Sequence, residues 1–327
     1  MLLIACGLLL ARLLAHLIGQ YLLVNASYIT ESLLMGVFFT MLVQIGICFF
    51  LPFMVYKKRL GLNAREIFAF SNFNKTHWFN FVLAVPIGIV GIFVTMGIST
   101  MWMIMLTTLG YTSGGGASRL PDAFNPWQLV LQLFLVAVLP AICEEFAMRG
   151  GLFSVMRGRY KGGFFYIIMA IAFGLFHQNI TQLGYTAFFG AIMAFVVVKT
   201  KSVYPAMIIH FVNNGLSVYL TFAAKYGFFM GNFNSMLENM VLNSFGTLVI
   251  SYALIVTAFA GLLTVLHILN KNSGRLKDSA APTNAASIKS PVGDGVHGVP
   301  QNTFYIGAAV TAAAFTLFSL IWGIFLA

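Results

Sequence analysis

Apolar residues run through most of the chain in blocks long enough to cross a bilayer, which needs about 20 residues of helix. The ten-residue alternating strands of an outer-membrane barrel are absent, so helices are the spanning elements. The blocks predict nine spans, at roughly 2–24, 32–56, 79–107, 128–156, 163–179, 182–199, 203–223, 246–270 and 304–326. The count bears an uncertainty of one, and eight spans are also compatible with the pattern. The expected fold class is all-α, a polytopic helical membrane protein. We divide it into N-terminal helices 1–3 (1–125), a central group of helices 4–7 (126–223) and C-terminal helices with a linker (224–327).

Between the blocks, polar segments set the topology. With the N-terminus in the cytoplasm, the loops after spans two, four, six and eight contain Lys57, Lys58, Arg59, Arg65, Lys75, Arg157, Arg159, Lys161, Lys199, Lys201, Lys271, Arg275, Lys277 and Lys289. That is fourteen of the eighteen basic residues on one face, a strong positive-inside bias that also supports the span count. The chain is expected in the cell membrane, multi-pass. The stretch 273–302 is small, polar and proline-bearing and reads as a mobile cytoplasmic linker. Residues 111–126 read as a flexible external loop ending at Pro126.

Composition agrees with this picture. Of 327 residues, 60% are hydrophobic and 8% charged, and mean hydropathy is +0.91. The net charge of +10 does not indicate a nucleic-acid partner, because the basic residues punctuate apolar runs and form no stripe with interleaved aromatics. Cys6, Cys48 and Cys143 lie in apolar runs without C-x-x-C spacing, so we expect packing residues and neither a disulfide framework nor a thiolate metal site.

Against this background one segment stands out. Six of the eight acidic residues lie in or beside loops, whereas Glu144 and Glu145 sit inside "LVLQLFLVAVLPAICEEFAMRGGLFSVM". An ionised group in hydrocarbon costs at least ~2.5 kcal/mol. A helix over 128–157 is about 45 Å long at 1.5 Å per residue, and Glu144 falls near its middle. Pro140, one turn earlier, is expected to kink the helix and free backbone carbonyls beside the pair. Glu145 and Arg149 are four residues apart and share a face, while Glu144 points about 100° away and needs a partner from another helix. The two carboxylates are therefore expected to ionise differently, as in acid/base sites where environment divides the roles.

Buried histidines are the candidate partners. His177 follows Phe173 by one turn in "FGLFHQN", and His210 precedes Asn214 by one turn in "HFVNNG". Between them Gly184, Ala187, Gly190, Ala191 and Ala194 give span six a small-residue face that permits close helix approach.

Taken in order, E-E-x-x-x-R (Glu144, Glu145, Arg149), F-x-x-x-H (Phe173, His177) and H-x-x-x-N (His210, Asn214), within 71 residues, resemble the CPBP family of intramembrane endopeptidases, also called Abi or CAAX-protease-like. The resemblance covers roughly 126–223. It implies a membrane-embedded peptidase acting on a hydrophobic or lipid-modified peptide or protein, as in CAAX processing or bacteriocin maturation and immunity. It further implies that Glu144 with His177 activates water and that His210 with Asn214 contacts the oxyanion. Glu145 and Arg149, with Phe173, are the supporting residues.

On the cofactor the sequence leaves two forms open, none or Zn²⁺. Glu144, His177 and His210 have the composition of a zinc site, and a metal-free glutamate mechanism uses the same residues. No H-E-x-x-H is present, and the metal-free form is slightly favoured. Two other functions remain: a proton-coupled transporter, since buried carboxylate and histidine relays occur there too, and an inactive immunity protein that binds a peptide.

Overall fold

The computed structural model describes residues 36–111, 125–160, 162–233, 235–236, 239 and 243–273. The expected first and last spans, Cys6, residues 112–124 of the external loop and the linker from residue 274 onward lie outside these residues.

Among the described residues the chain forms helices and no strands. We number them α1 (Gly36–Lys58), α2 (Ala64–Phe70), α3 (Trp78–Thr108), α4 (Pro126–Leu152, continued by Phe153–Arg159), α5 (Gly162–Phe176), α6 (Ile180–Thr200), α7 (Tyr204–Tyr226) and α8 (Phe245–Asn272). Six of them, all but α2 and α5, are long and apolar enough to cross a membrane. Each of the seven spans expected between residues 32 and 270 corresponds to a helix.

The start signals are local. Asn125 Oδ1 accepts from the Gln128 backbone N–H at 2.9 Å, and Pro126 occupies the first helical position of α4. Asn63 and Glu66 form a reciprocal capping box on α2. Pro140 does distort α4: the turn before it, Leu133–Val138, widens to a π-helix, and a second π segment, Phe146–Leu152, follows Glu145.

One expected span departs from the pattern. α5 has 15 residues, ending at Phe176 rather than 179, so it reaches about 22 Å, short of a ~30 Å hydrocarbon core. The chain then breaks at His177–Asn179, with Gln178 in the left-handed region at φ 50°. Asn179 restarts the helix by accepting from the Thr181 backbone N–H at 3.0 Å. Irregular backbone at membrane depth is tolerated where protein or water covers it, and Trp102 Nε1 of α3 donates to the Ile180 carbonyl at 2.6 Å. The hydropathy window averaged across this break, which is why it read as continuous.

α5 and α6 make the tightest pair, α7 packs on α3 and α4, α1 packs on α4, and α8 lies outermost against α3. The small-residue face of α6 is used as anticipated. A Cβ on Gly190 would lie 2.6 Å from Phe173 Cβ and 3.0 Å from the Met169 carbonyl oxygen, and one on Gly184 would lie 2.7 Å from Trp102 Cγ. Cys48 and Cys143 are buried free thiols, as their apolar setting suggested.

Cations gather at one end of this bundle. Arg157, Lys199 and Lys201 stand within coulombic reach of one another, and Lys199 and Lys271 both act on His267, so the ends of α4, α6 and α8 share a face. Partial burial, with Arg157 and Lys199 nearby, lowers the Lys201 pKa to about 8.

Two predictions follow from this packing. Gly190→Ala forces α6 away from α5 and costs about 1–3 kcal/mol, read as a lower melting temperature in detergent. Gly261→Ala, with open space around it among the described residues, leaves the melting temperature unchanged or slightly raised. For Lys201, the unfolded chain binds more protons than the native one between about pH 8 and the unfolded value near 10.4. Stability therefore rises with pH through that window, and Lys201→Gln flattens this part of the melting-temperature profile.

Candidate functional site

The charged residues of α4 lie close to the cationic end. His210 is six residues after Tyr204, about 9 Å into α7, and there it meets Glu145 of α4.

Glu145 is fully buried, and its Oε1 accepts from Arg149 Nη1 at 3.1 Å and from His210 Nδ1 at 2.9 Å. The i,i+4 pair expected from spacing therefore forms. Arg149, also fully buried, donates from Nη2 to the Gly190 carbonyl at 3.3 Å, and its guanidinium lies 4.4 Å from the Phe173 ring centroid. That carbonyl is within reach because Gly190 has no Cβ to hold α6 away from Phe173. Four helices thus converge on one ion pair: α4 supplies it, α5 stacks on it, α6 accepts from it and α7 adds the imidazole.

Phe173 also orients both histidines. Its carbonyl accepts from His177 Nδ1 at 2.9 Å, and its ring packs edge-on to His177 and His210, with centroids 4.8 and 6.2 Å apart. A carbonyl only accepts, so in His177 Nδ1 holds the proton. The same holds for His210, whose Nδ1–H is directed at the Glu145 carboxylate.

Asn214 is held one turn along α7. Its Nδ2 donates to the Val136 carbonyl at 3.0 Å, four residues before Pro140, so the carbonyl that Pro140 cannot bond finds a partner in α7. Asn213, which sequence reasoning passed over, joins the chain: Thr95 Oγ1 and Asn213 Oδ1 are 3.4 Å apart, and Asn213 Nδ2 lies 3.4 Å from Asn214 Oδ1. A doubled asparagine in an apolar helix was the available signal.

Glu144 finds a different partner from the one expected. Its Oε1 accepts from Gln44 Nε2 of α1 at 2.8 Å, while the histidine that bonds a carboxylate, His210, bonds Glu145. Glu144 is 8% exposed, and its Oε2 is buried without a hydrogen-bond partner. Tyr185 of α6 and Cys48 of α1 are within its coulombic reach. Gln44 was missed because one amide in an apolar run gives no indication of which helix it will meet.

Among the described residues no three His, Cys, Asp or Glu side chains are grouped to hold an ion, and the conditional set Glu144, His177 and His210 is not such a group. No step below is routed through a metal.

Removing either member of a buried ion pair leaves an uncompensated charge and costs about 3–5 kcal/mol. Arg149→Met and Glu145→Gln are each expected to lose that much, read as melting temperature and yield in the membrane. The double variant recovers part of it, because it removes both charges.

Residues 126–216 match the family model described as Rce1-like, type II CAAX prenyl endopeptidase. The match runs from the start of α4 into α7 and includes all seven motif residues, from Glu144 to Asn214. No curated protein and no solved structure matches the chain.

Proposed function

We propose, from the match of residues 126–216 to the Rce1-like family model, that the chain is an intramembrane endopeptidase in which Glu144 activates the water that cleaves a hydrophobic or lipid-modified peptide. The match supports a CAAX-type membrane protease. The residue roles are our reading of the geometry.

The observation that supports it most is the unequal treatment of two adjacent carboxylates. Oε2 of each is buried and unbonded, but Oε1 of Glu145 is taken by Arg149 and His210 whereas that of Glu144 accepts a single neutral amide. A general base needs a lone pair facing the reaction. Glu144 has one with no cation bonded to its carboxylate, and Glu145 is bonded to Arg149 and His210.

In this reading Glu144 Oε2 takes a proton from water as the water oxygen attacks the scissile carbonyl, and the protonated carboxyl then gives that proton to the leaving amine. His177, with its tautomer set by the Phe173 carbonyl, adds its imidazole to the site from the end of α5. His210 and Asn214, one turn apart on α7, stand at the oxyanion, with Glu145 holding the His210 ring through Nδ1–H. Asn214 contributes its second Nδ2 hydrogen, the first being engaged by Val136. Glu145, Arg149 and Phe173 keep the helices in register. The site opens to the cytoplasm if the cationic end faces inward as the charge bias predicts.

Replacing Glu144 by Gln removes the base but little volume. Its expected effect is a loss of at least 10³-fold in cleavage with unchanged melting temperature and membrane abundance. Comparative peptidomics of membranes from wild type and this variant checks both the loss and the substrate; peptide profiles that do not differ would reject the assignment.

A further inference from the structure

Gln44 lies outside the segment that matches the family model, yet it makes the hydrogen bond that holds Glu144. It is 7% exposed in the middle of "MLVQIGICFF", in a π-helical stretch, Leu42–Phe50, of α1. Wide π turns recur at functional sites because they redirect a side chain without ending the helix.

The bond uses one atom from each group and leaves the other two in the same condition. Gln44 Oε1 and Glu144 Oε2 are both buried without a hydrogen-bond partner. Each is an acceptor, the first an amide oxygen and the second a carboxylate oxygen. Two buried acceptors on either side of one hydrogen bond call for a species that donates twice, and isolated buried acceptors are costly enough to be rare. Water donates twice, and a polar recess in an apolar core is where ordered water is found.

We propose that Gln44 and Glu144 together hold the attacking water, Gln44 acting as a positioning residue contributed by α1. One O–H of the water points at Glu144 Oε2 and the other at Gln44 Oε1, which directs a lone pair of the water oxygen away from both and towards the scissile carbonyl. On attack the new C–O bond forms, the first proton passes to Glu144, and the second stays on the oxygen bound to Gln44 Oε1. Collapse of the tetrahedral species breaks the C–N bond, and Glu144 returns its proton to the amine. Gln44 Nε2–H meanwhile fixes the carboxylate rotamer through Oε1 of Glu144. The cleavage core is thereby completed by a residue of the N-terminal helices.

This inference rests on the peptidase reading, and the experiment separates the two. Wild type, Glu144→Gln, Gln44→Met and Gln44→Asn are compared in proteoliposomes with a prenylated CAAX peptide carrying a fluorophore and quencher. Gln44→Met keeps the length of the side chain and removes donor and acceptor together. We expect kcat to fall about 10²-fold with KM changed less than about twofold and melting temperature retained. Gln44→Asn keeps an amide but withdraws it by one methylene, and an intermediate fall of about tenfold in kcat is expected. It also carries the test if Gln44→Met does not accumulate. Wild-type kcat in the Gln44 variants, or losses that appear in KM and melting temperature alone, would overturn the role of Gln44. Cleavage that survives Glu144→Gln, or is absent from wild type, would overturn the peptidase reading and this inference with it.

Discussion

The rest of the structure depends on one buried ion pair, Glu145 with Arg149, that must be satisfied without water. Within a single helix two charges at i,i+4 neutralise one another but leave most of their hydrogen-bonding capacity unmet. In a low-dielectric setting that shortfall is large enough to dictate which helices approach. Here α7 contributes His210 Nδ1, α6 a backbone carbonyl at Gly190 and α5 the face of Phe173. Arrangements of these four helices that do not bring those groups together leave a charge exposed to hydrocarbon. The ion pair thus selects the register of the bundle core, and the apolar contacts fill in around it.

This constraint has a chemical consequence. A carboxylate that fixes helices is bonded, and a bonded carboxylate is a poor base. By placing a second glutamate next to the first, the chain points one carboxylate along the face that meets α7 and another, about 100° around the helix, towards α1. Glu145 accepts two charged or polar donors and Glu144 a single amide. Adjacent positions in sequence therefore occupy separate environments, and the helix geometry itself divides their roles. Pro140 adds to this. It widens the preceding turn and leaves the Val136 carbonyl for Asn214, which ties α7 to α4 at a second level above the ion pair.

What could be read in the sequence was what depends on spacing along one helix. Hydropathy located seven of the expected spans within a few residues, the i,i+4 rule placed Arg149 on Glu145, and the small-residue face of α6 anticipated its close approach to α5. The parity of basic residues between loops anticipated the shared cationic end formed by Arg157, Lys199, Lys201 and Lys271. What was not legible depends on phase between helices. Two π segments rotate the faces of α4 relative to an ideal helix, so His210 arrives at Glu145 and not at Glu144. The break at His177–Asn179 hides inside an apolar window because Phe176 and Ile180 flank it. Gln44 is a hundred residues from its partner, and no local pattern encodes such a distance.

The break between α5 and α6 also bears on why this site is wet enough to work. A full-length α5 would continue past His177 and place its imidazole on a regular helical face. Ending at Phe176 gives the histidine a backbone that turns at Gln178, with α3 capping the restart through Trp102. Backbone groups exposed by such a turn must meet protein or water, since lipid offers them nothing. The polar run from His177 to Gln182 is therefore the part of the core where hydration costs least. A short α5 thus places His177 and its polar neighbours on irregular backbone beside Phe173 and not on an apolar helical face.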